Sequence, residues 1–308
     1  MTKTTYSIAV RKPFRFDLTA LIMRRRSNNK ISRWDGHRYQ RVLVIGDTPV
    51  RITVSQAGTP NNPRLVTTLE SNLELSFDQQ VEAQLITQKM FGISVDVQSF
   101  SDQVAQDPAM WNMAGHFLGV KPTRFPTVYE ALITAITCQN MSLDAGIELL
   151  NKISAAYGLA FHEGDDVMHA FPWPEDLSNV TEIDLSKLGF GTRKARAILA
   201  LTTAIEKGSI SLEQLELMSN EEAFVYLRKL PGVSRWAAEY VMVRGLGRLD
   251  VFPADDKLAT GYLRQMLKLA RKPDYEDVKL LASTWHPYEG FVYMHLLLEW
   301  FRNGGLVK

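Results

Sequence analysis

Residues 230–234 read Leu-Pro-Gly-Val-Ser, with a helical pattern on either side and two aspartates, Asp255 and Asp256, further on. A tight glycine hairpin of this kind forces two helices to meet at a corner. It also leaves bare backbone N–H groups at the start of the second helix, where Gly232 and Ser234 are placed to grip an anion. That second helix carries Trp236 and Tyr240 four residues apart, on one face. Asp256 follows a short loop, at the expected start of the next helix. A phosphate grip, a flat aromatic surface and a carboxylate, met in that order, are what an enzyme needs to hold a nucleic acid backbone and work on an unstacked base.

The rest of the chain sets bounds. With 308 residues, 45% of them apolar, there is material for two or three packed domains. No apolar run is long enough to span a bilayer, and no charged-then-apolar leader opens the sequence. The expectation is an intracellular, cytoplasmic protein. The single cysteine, Cys138, excludes an internal disulfide, a four-cysteine iron–sulfur cluster and a cysteine zinc site. No His, Asp and Glu cluster has the spacing of a catalytic metal site. Net charge is only +1, but residues 1–51 hold 12 basic side chains against 3 acidic ones. That run reads equally as a solvated face or as a phosphate-tracking surface.

The expected fold class is α+β. An N-terminal mixed α/β domain with an antiparallel sheet, residues 1–100, precedes an all-helical core of two subdomains, residues 101–308. YSIAV, YQRVLVIG, VRITVSQ and RLVTTLES are β-branched runs separated by turn residues, with a turn at residues 58–63. Helices are expected over residues 18–26 and 77–92, the second with Val81, Leu85 and Met90 as its apolar positions and Gly92 as its C-cap. Thr127 to Glu130 reads as a capping box. It opens a helical pattern to Ile153, with Gln139-Asn140 as the candidate break. Gly189 marks a second glycine turn before a helix from Thr192 to Glu206, and helices follow to the C-terminus.

These segments together resemble the helix-hairpin-helix DNA glycosylases, and among them the DNA-3-methyladenine glycosylase II branch. The residues that carry the likeness are LPGVSRW, the Arg244-Gly245 pair and DVFPADD, then AITCQNMS, LGFGTRKARAIL and WHPYEGFVYMHLLL. The resemblance implies that Asp256 is the catalytic carboxylate, with Asp255 in second place as a helix cap. It places Trp236, Tyr240, Leu297 and Ile22 around a base pocket. It puts Gln139, Asn140 and Met141 at the tip that fills the hole left by a flipped nucleotide. Gly232, Ser234, Arg235 and Arg244 would meet the DNA backbone. No cofactor is implied beyond a sodium or potassium ion at the hairpin carbonyls.

Two departures matter. Ser234 stands where the family usually has a glycine, and Leu297 where it has a pocket tryptophan. Trp236 occupies the position of the lysine that bifunctional members use to cleave the strand, which implies a monofunctional enzyme. The expected activity is hydrolysis of the N-glycosidic bond of alkylated purines such as 3-methyladenine and 7-methylguanine, in double-stranded DNA with damaged bases, by a monomer. Oxidised or deaminated bases such as 8-oxoguanine and hypoxanthine are the alternative. A non-catalytic helix-hairpin-helix module that only binds DNA is the third reading.

Overall fold

The computed structural model describes residues 1–59 and 62–305. Its N-terminal part is a five-stranded antiparallel sheet: β1 (Thr2–Ala9), β2 (Arg33–Trp34), β3 (Arg38–Ile45), β4 (Thr48–Thr59) and β5 (Asn62–Ser71), in the spatial order β1-β5-β4-β3-β2. β3 and β4 form a hairpin closed by Gly46 and Asp47, with Ile45 opposite Thr48 and Gly46 at φ 59°. A two-residue loop needs such a left-handed position to match the strand twist. The tip of the expected 58–63 turn, Pro60-Asn61, lies outside the described residues.

Two helices belong to this unit. α2 (Phe77–Met90) opens on a full capping box between Ser76 and Gln79. Its buried positions are Ala83, Thr87 and Met90, while Val81 is half-buried and Leu85 is 60% exposed, so of the expected apolar positions only Met90 is fully in the core. α1 (Phe16–Arg24) starts two residues earlier than its pattern indicated. It sits between two cores. Phe16, Ala20 and Met23 pack with the sheet, whereas Leu18 and Ile22 pack with the helical part.

The expected boundary at residue 100 needs correction for the same reason. Ile93 belongs to the sheet core and Val97 to the helical core, so the division falls between them. α3 (Gln98–Gln106) then puts Phe100 and Val104 into the helical core. α4 (Pro108–Ala114), α5 (Val128–Cys138), α6 (Leu143–Tyr157), α7 (Glu182–Lys187), α8 (Thr192–Glu206), α9 (Asn220–Lys229), α10 (Arg235–Val241), α11 (Lys257–Met266), α12 (Tyr275–Ala282) and α13 (Glu289–Asn303) complete it. α5 is buried from Tyr129 to Cys138, as a helix must be when others pack on every side.

This part is not all-helical. β6 (Ala160–Glu163) and β7 (Asp166–His169) form a small hairpin. Phe161, Met168 and Ala170 pack on Val42 of β3, and Arg33 pairs with Asp166 at 2.8 Å. Two four-residue strands around Gly164-Asp165 give almost no alternation signal, which is why the sequence pattern misses them.

The capping box at α5 is only half formed. Thr127 accepts from the Glu130 N–H, but the Glu130 carboxylate does not turn back to the helix start. Arg41 of β3 takes it in a buried ion pair between the two parts of the molecule.

Candidate active site

α9 ends at Lys229 and α10 begins at Arg235, so the predicted hairpin is a tight corner. Gly232 turns it at φ 74°. A Cβ on Gly232 would also lie 2.4 Å from the Ala197 Cβ of α8, which packs against the corner. Ser234 has φ −75°, and its hydroxyl caps α10 by accepting from Ala237 N at 3.2 Å. The substitution of serine for glycine is therefore accommodated and adds a helix cap. The N–H groups of Gly232 and Ser234 have no protein acceptor among the described residues, and Gly232 is exposed.

A Gly232→Ala variant combines a left-handed backbone, costing about 1–2 kcal/mol, with this clash. We expect a destabilisation of about 2 kcal/mol, read as a lower urea midpoint, together with weaker binding to undamaged duplex. Wild-type affinity in that variant would refute the anion-grip assignment.

Two of the hairpin carbonyls accept side-chain hydrogen bonds. Gln139 Nε2 donates to Gly232 O at 2.8 Å, and Arg228 Nη1 donates to Val233 O at 2.6 Å. A guanidinium already stands at the carbonyl edge where a monovalent ion would sit. The Arg228 guanidinium therefore competes with a monovalent cation for the Val233 carbonyl. Among the described residues no group of three or more His, Cys, Asp and Glu side chains is arranged to hold a metal.

Beside the hairpin opens a cleft of about 910 Å³. Ile22, Gln139, Asn140, Met141, Ser234, Arg235, Trp236, Tyr240, Arg244, Asp256 and Leu297 all line it, so the structure gathers every candidate residue except Gly232 on one concave surface. Asp256, not Asp255, is the helix cap. Its Oδ1 accepts from Leu258 N and Ala259 N, both at 3.0 Å. Its Oδ2 accepts from Trp236 Nε1 and from the Tyr293 hydroxyl, both at 3.0 Å. Burial and the nearby Asp256 charge push the Tyr293 phenol well above its ordinary value, so it stays protonated and donates. Asp255 instead forms a bidentate pair with Arg235, at 2.7 and 3.0 Å.

Trp236 and Tyr240 stack on each other, with ring centres 5.0 Å apart and planes at 26°. Tyr240 is 6% exposed and Trp236 is more open, so Tyr240 backs the wall that Trp236 presents. On the opposite lip, α5 stops at Cys138. Asn140 turns the chain at φ 57° before α6, and Asn140 and Met141 are exposed. Gln139 points the other way, onto Gly232 O, so it ties the tip to the hairpin and is not itself the projecting residue. Lys194 of α8 braces this tip, donating to Thr137 O at 2.6 Å and Gln139 O at 2.9 Å.

Two assignments change. Arg244 was expected at the DNA backbone, yet it is 2% exposed and forms part of the cleft wall beside Phe125. Arg235 is committed to Asp255 and lies over the Tyr275 ring at 3.6 Å. Leu297 lines the cleft, and Trp300 of the same helix lines it as well, with the Arg26 guanidinium 3.4 Å from its ring centre. Sequence reasoning also missed Arg25 and Tyr293. Arg25 hides within a basic run that reads equally as a solvated face or as a phosphate-tracking surface. Tyr293 occupies an apolar helix face, and only the fold brings it to Asp256.

Residues 133–287 match the family described as HhH-GPD superfamily base excision DNA repair protein. The DNA-3-methyladenine glycosylase of Bacillus subtilis is 22% identical over 291 residues, covering 94% of this chain and 95% of that protein. A 3-methyladenine DNA glycosylase structure from Archaeoglobus fulgidus superposes with TM-score 0.82 at 20% identity, over 98% of this chain and 100% of that one. A Clostridium acetobutylicum 8-oxoguanine glycosylase/lyase in complex with double-stranded DNA gives TM-score 0.77 at 17% identity, over 99% of each chain. The chain belongs to the HhH-GPD superfamily of base excision DNA repair proteins. Among the described residues no helix is long and apolar enough to cross a membrane.

Proposed function

We propose that this chain, a DNA glycosylase of the HhH-GPD superfamily, is monofunctional and hydrolyses the N-glycosidic bond of alkylated purines of the 3-methyladenine and 7-methylguanine type. The observation that carries the reading is Trp236, which bonds the Asp256 carboxylate through its indole N–H while forming the wall of the cleft. Tryptophan has no amine for a Schiff base with the sugar, and its ring offers a stacking surface for an electron-poor base.

In this mechanism the hairpin N–H groups hold a backbone phosphate, and the damaged nucleotide turns out of the stack into the cleft. Asn140 and Met141 fill the gap. The C1′–N bond lengthens and positive charge develops on the sugar, facing Asp256. A carboxylate has about four acceptor positions, and Asp256 uses all of them on Leu258, Ala259, Trp236 and Tyr293. Its role is therefore charge stabilisation of the oxocarbenium-like sugar, with no acceptor position free to deprotonate water. The substrate in this reading is double-stranded DNA with a damaged base, bound by a monomer.

The test uses duplexes with single defined lesions. Base release from 3-methyladenine and 7-methylguanine duplexes, with strand breaks appearing only after alkali, is the expected result. Breaks without alkali would refute the monofunctional reading. Binding with no release of any base would refute the enzyme reading in favour of a DNA-binding module.

A further inference from the structure

Two arginines in the cleft wall have no part in the mechanism above. Arg244 sits in a π-helical turn, Met242–Leu246, that follows α10. Its Nε is buried with no acceptor, and among the described residues no carboxylate pairs with it. Arg25 has the same buried, unpartnered Nε, and its Nη1 makes one bond, to the Tyr240 hydroxyl at 3.2 Å. Both guanidinium groups lie against Phe125, 5.4 and 5.6 Å from its ring centre, and both line the cleft. The nearby carboxylate of Glu130 is already taken by Arg41. Arginine stays protonated in proteins. A buried guanidinium at Arg244 and a half-buried one at Arg25, each with an occluded and unpaired Nε, are costly to keep unless something else supplies acceptors to the rest of the group.

We propose that Arg25 and Arg244 are specificity-determining residues that read the carbonyl edge of the extruded base, so that the cleft favours purines with a 6-carbonyl over those with a 6-amino group. This rests on the base entering the cleft as described above, and it narrows that reading. Guanidiniums only donate. A 6-oxopurine with an unsubstituted N7, such as hypoxanthine, offers O6 and N7 as adjacent acceptors, the edge that arginine matches with two parallel bonds, whereas 7-methylguanine keeps O6 alone. A 6-amino group points its own N–H bonds at the same donors and leaves them unpaired, which is the strong form of discrimination.

The charge balance leads to the same class. When a neutral 6-oxopurine leaves, the C1′–N9 electron pair goes to the base, and the negative charge spreads to O6. Water forms the new bond to C1′ and gives up one proton, and the base takes up one proton, so the products are an abasic sugar and a neutral free base. Arg25 and Arg244 stand where that transient charge falls. A ring-cationic, 6-amino base gains nothing from them.

The experiment measures single-turnover release of hypoxanthine, 7-methylguanine and 3-methyladenine from otherwise identical duplexes. It compares the full-length wild type with Arg25→Met, Arg25→Lys and Arg244→Met. Fluorescence quenching of the wild type by free hypoxanthine and by free adenine reports binding without turnover. We expect wild-type release of hypoxanthine, and tighter binding of hypoxanthine than adenine. Arg25→Met should lower hypoxanthine release at least tenfold while 3-methyladenine release changes less than threefold, and Arg25→Lys should restore part of the loss. Arg244→Met should show the same split where its folded fraction matches wild type. Equal losses on all three bases, no loss on any, or no release of hypoxanthine by the wild type would overturn the proposal. In the last case, continued release of the alkylated bases would leave the earlier reading intact, whereas no release of any base would end both.

Discussion

Replacing Asp256 by asparagine is expected to slow base release by about 10²–10³-fold, the usual effect of removing one well-placed electrostatic group from an active site. The fold should survive. Asparagine is as good a helix cap as aspartate, so its side-chain oxygen can keep the bonds from Leu258 N and Ala259 N. The amide nitrogen then falls at the Oδ2 position, where it faces two donors, the Trp236 indole and the Tyr293 hydroxyl. The variant loses the negative charge opposite the sugar and gains a mismatch on that side. Single-turnover release from a lesion duplex measures the first effect, and affinity for the same duplex should stay within a few-fold of wild type. A release rate within threefold of wild type would remove Asp256 from the mechanism. Tyr293→Phe supplies a graded control, because it deletes one donor and keeps the charge.

The parts of this site that were legible in the sequence are those fixed by local chemistry. Leu-Pro-Gly-Val-Ser can hardly do anything but turn, and Gly232 adopts the left-handed conformation that the turn requires. The break at Gln139-Asn140 follows from an asparagine after an apolar run, since Asn140 is the weaker helix former of the two and tolerates positive φ better than most residues. What stayed illegible depends on long-range packing. Arg24, Arg25 and Arg26 form one run, yet their fates differ. Arg24 donates to the backbone carbonyls of Arg26 and Trp34, Arg25 enters the cleft wall, and Arg26 lies on Trp300. Composition cannot separate three adjacent arginines whose roles are set by elements far away in the chain. Arg244 misleads in the opposite sense. Its position just after the phosphate grip points to DNA, but the π turn carries it inward. The domain boundary was blurred for a related reason, since α1 divides its faces between two cores and no periodicity reveals two burial partners.

The Arg41–Glu130 pair should be the largest single electrostatic contribution to the unity of the fold. Both side chains are almost completely buried, at 3% and 6% exposure, and they join β3 of the sheet to the first turn of α5. Removing one partner of such a pair leaves an uncompensated charge in the interior and typically costs about 3–5 kcal/mol. Glu130→Ala is therefore expected to lower stability by about that amount, seen as a fall in urea midpoint. The loss has a functional side. Without Glu130, the arginines at positions 25, 41 and 244 would share one buried region with no carboxylate close by, because Glu130 is the acidic group that acts on Arg25 there. Mutual repulsion should then loosen the cleft wall, so base release ought to weaken even in the fraction that remains folded. The double variant Glu130→Leu with Arg41→Met replaces the pair with apolar groups, and such replacements are often neutral. It should recover more than half of the lost stability. If Glu130→Ala costs less than about 1 kcal/mol, or if the double variant is no better than the single one, the clamp is not what joins the sheet to the helical core.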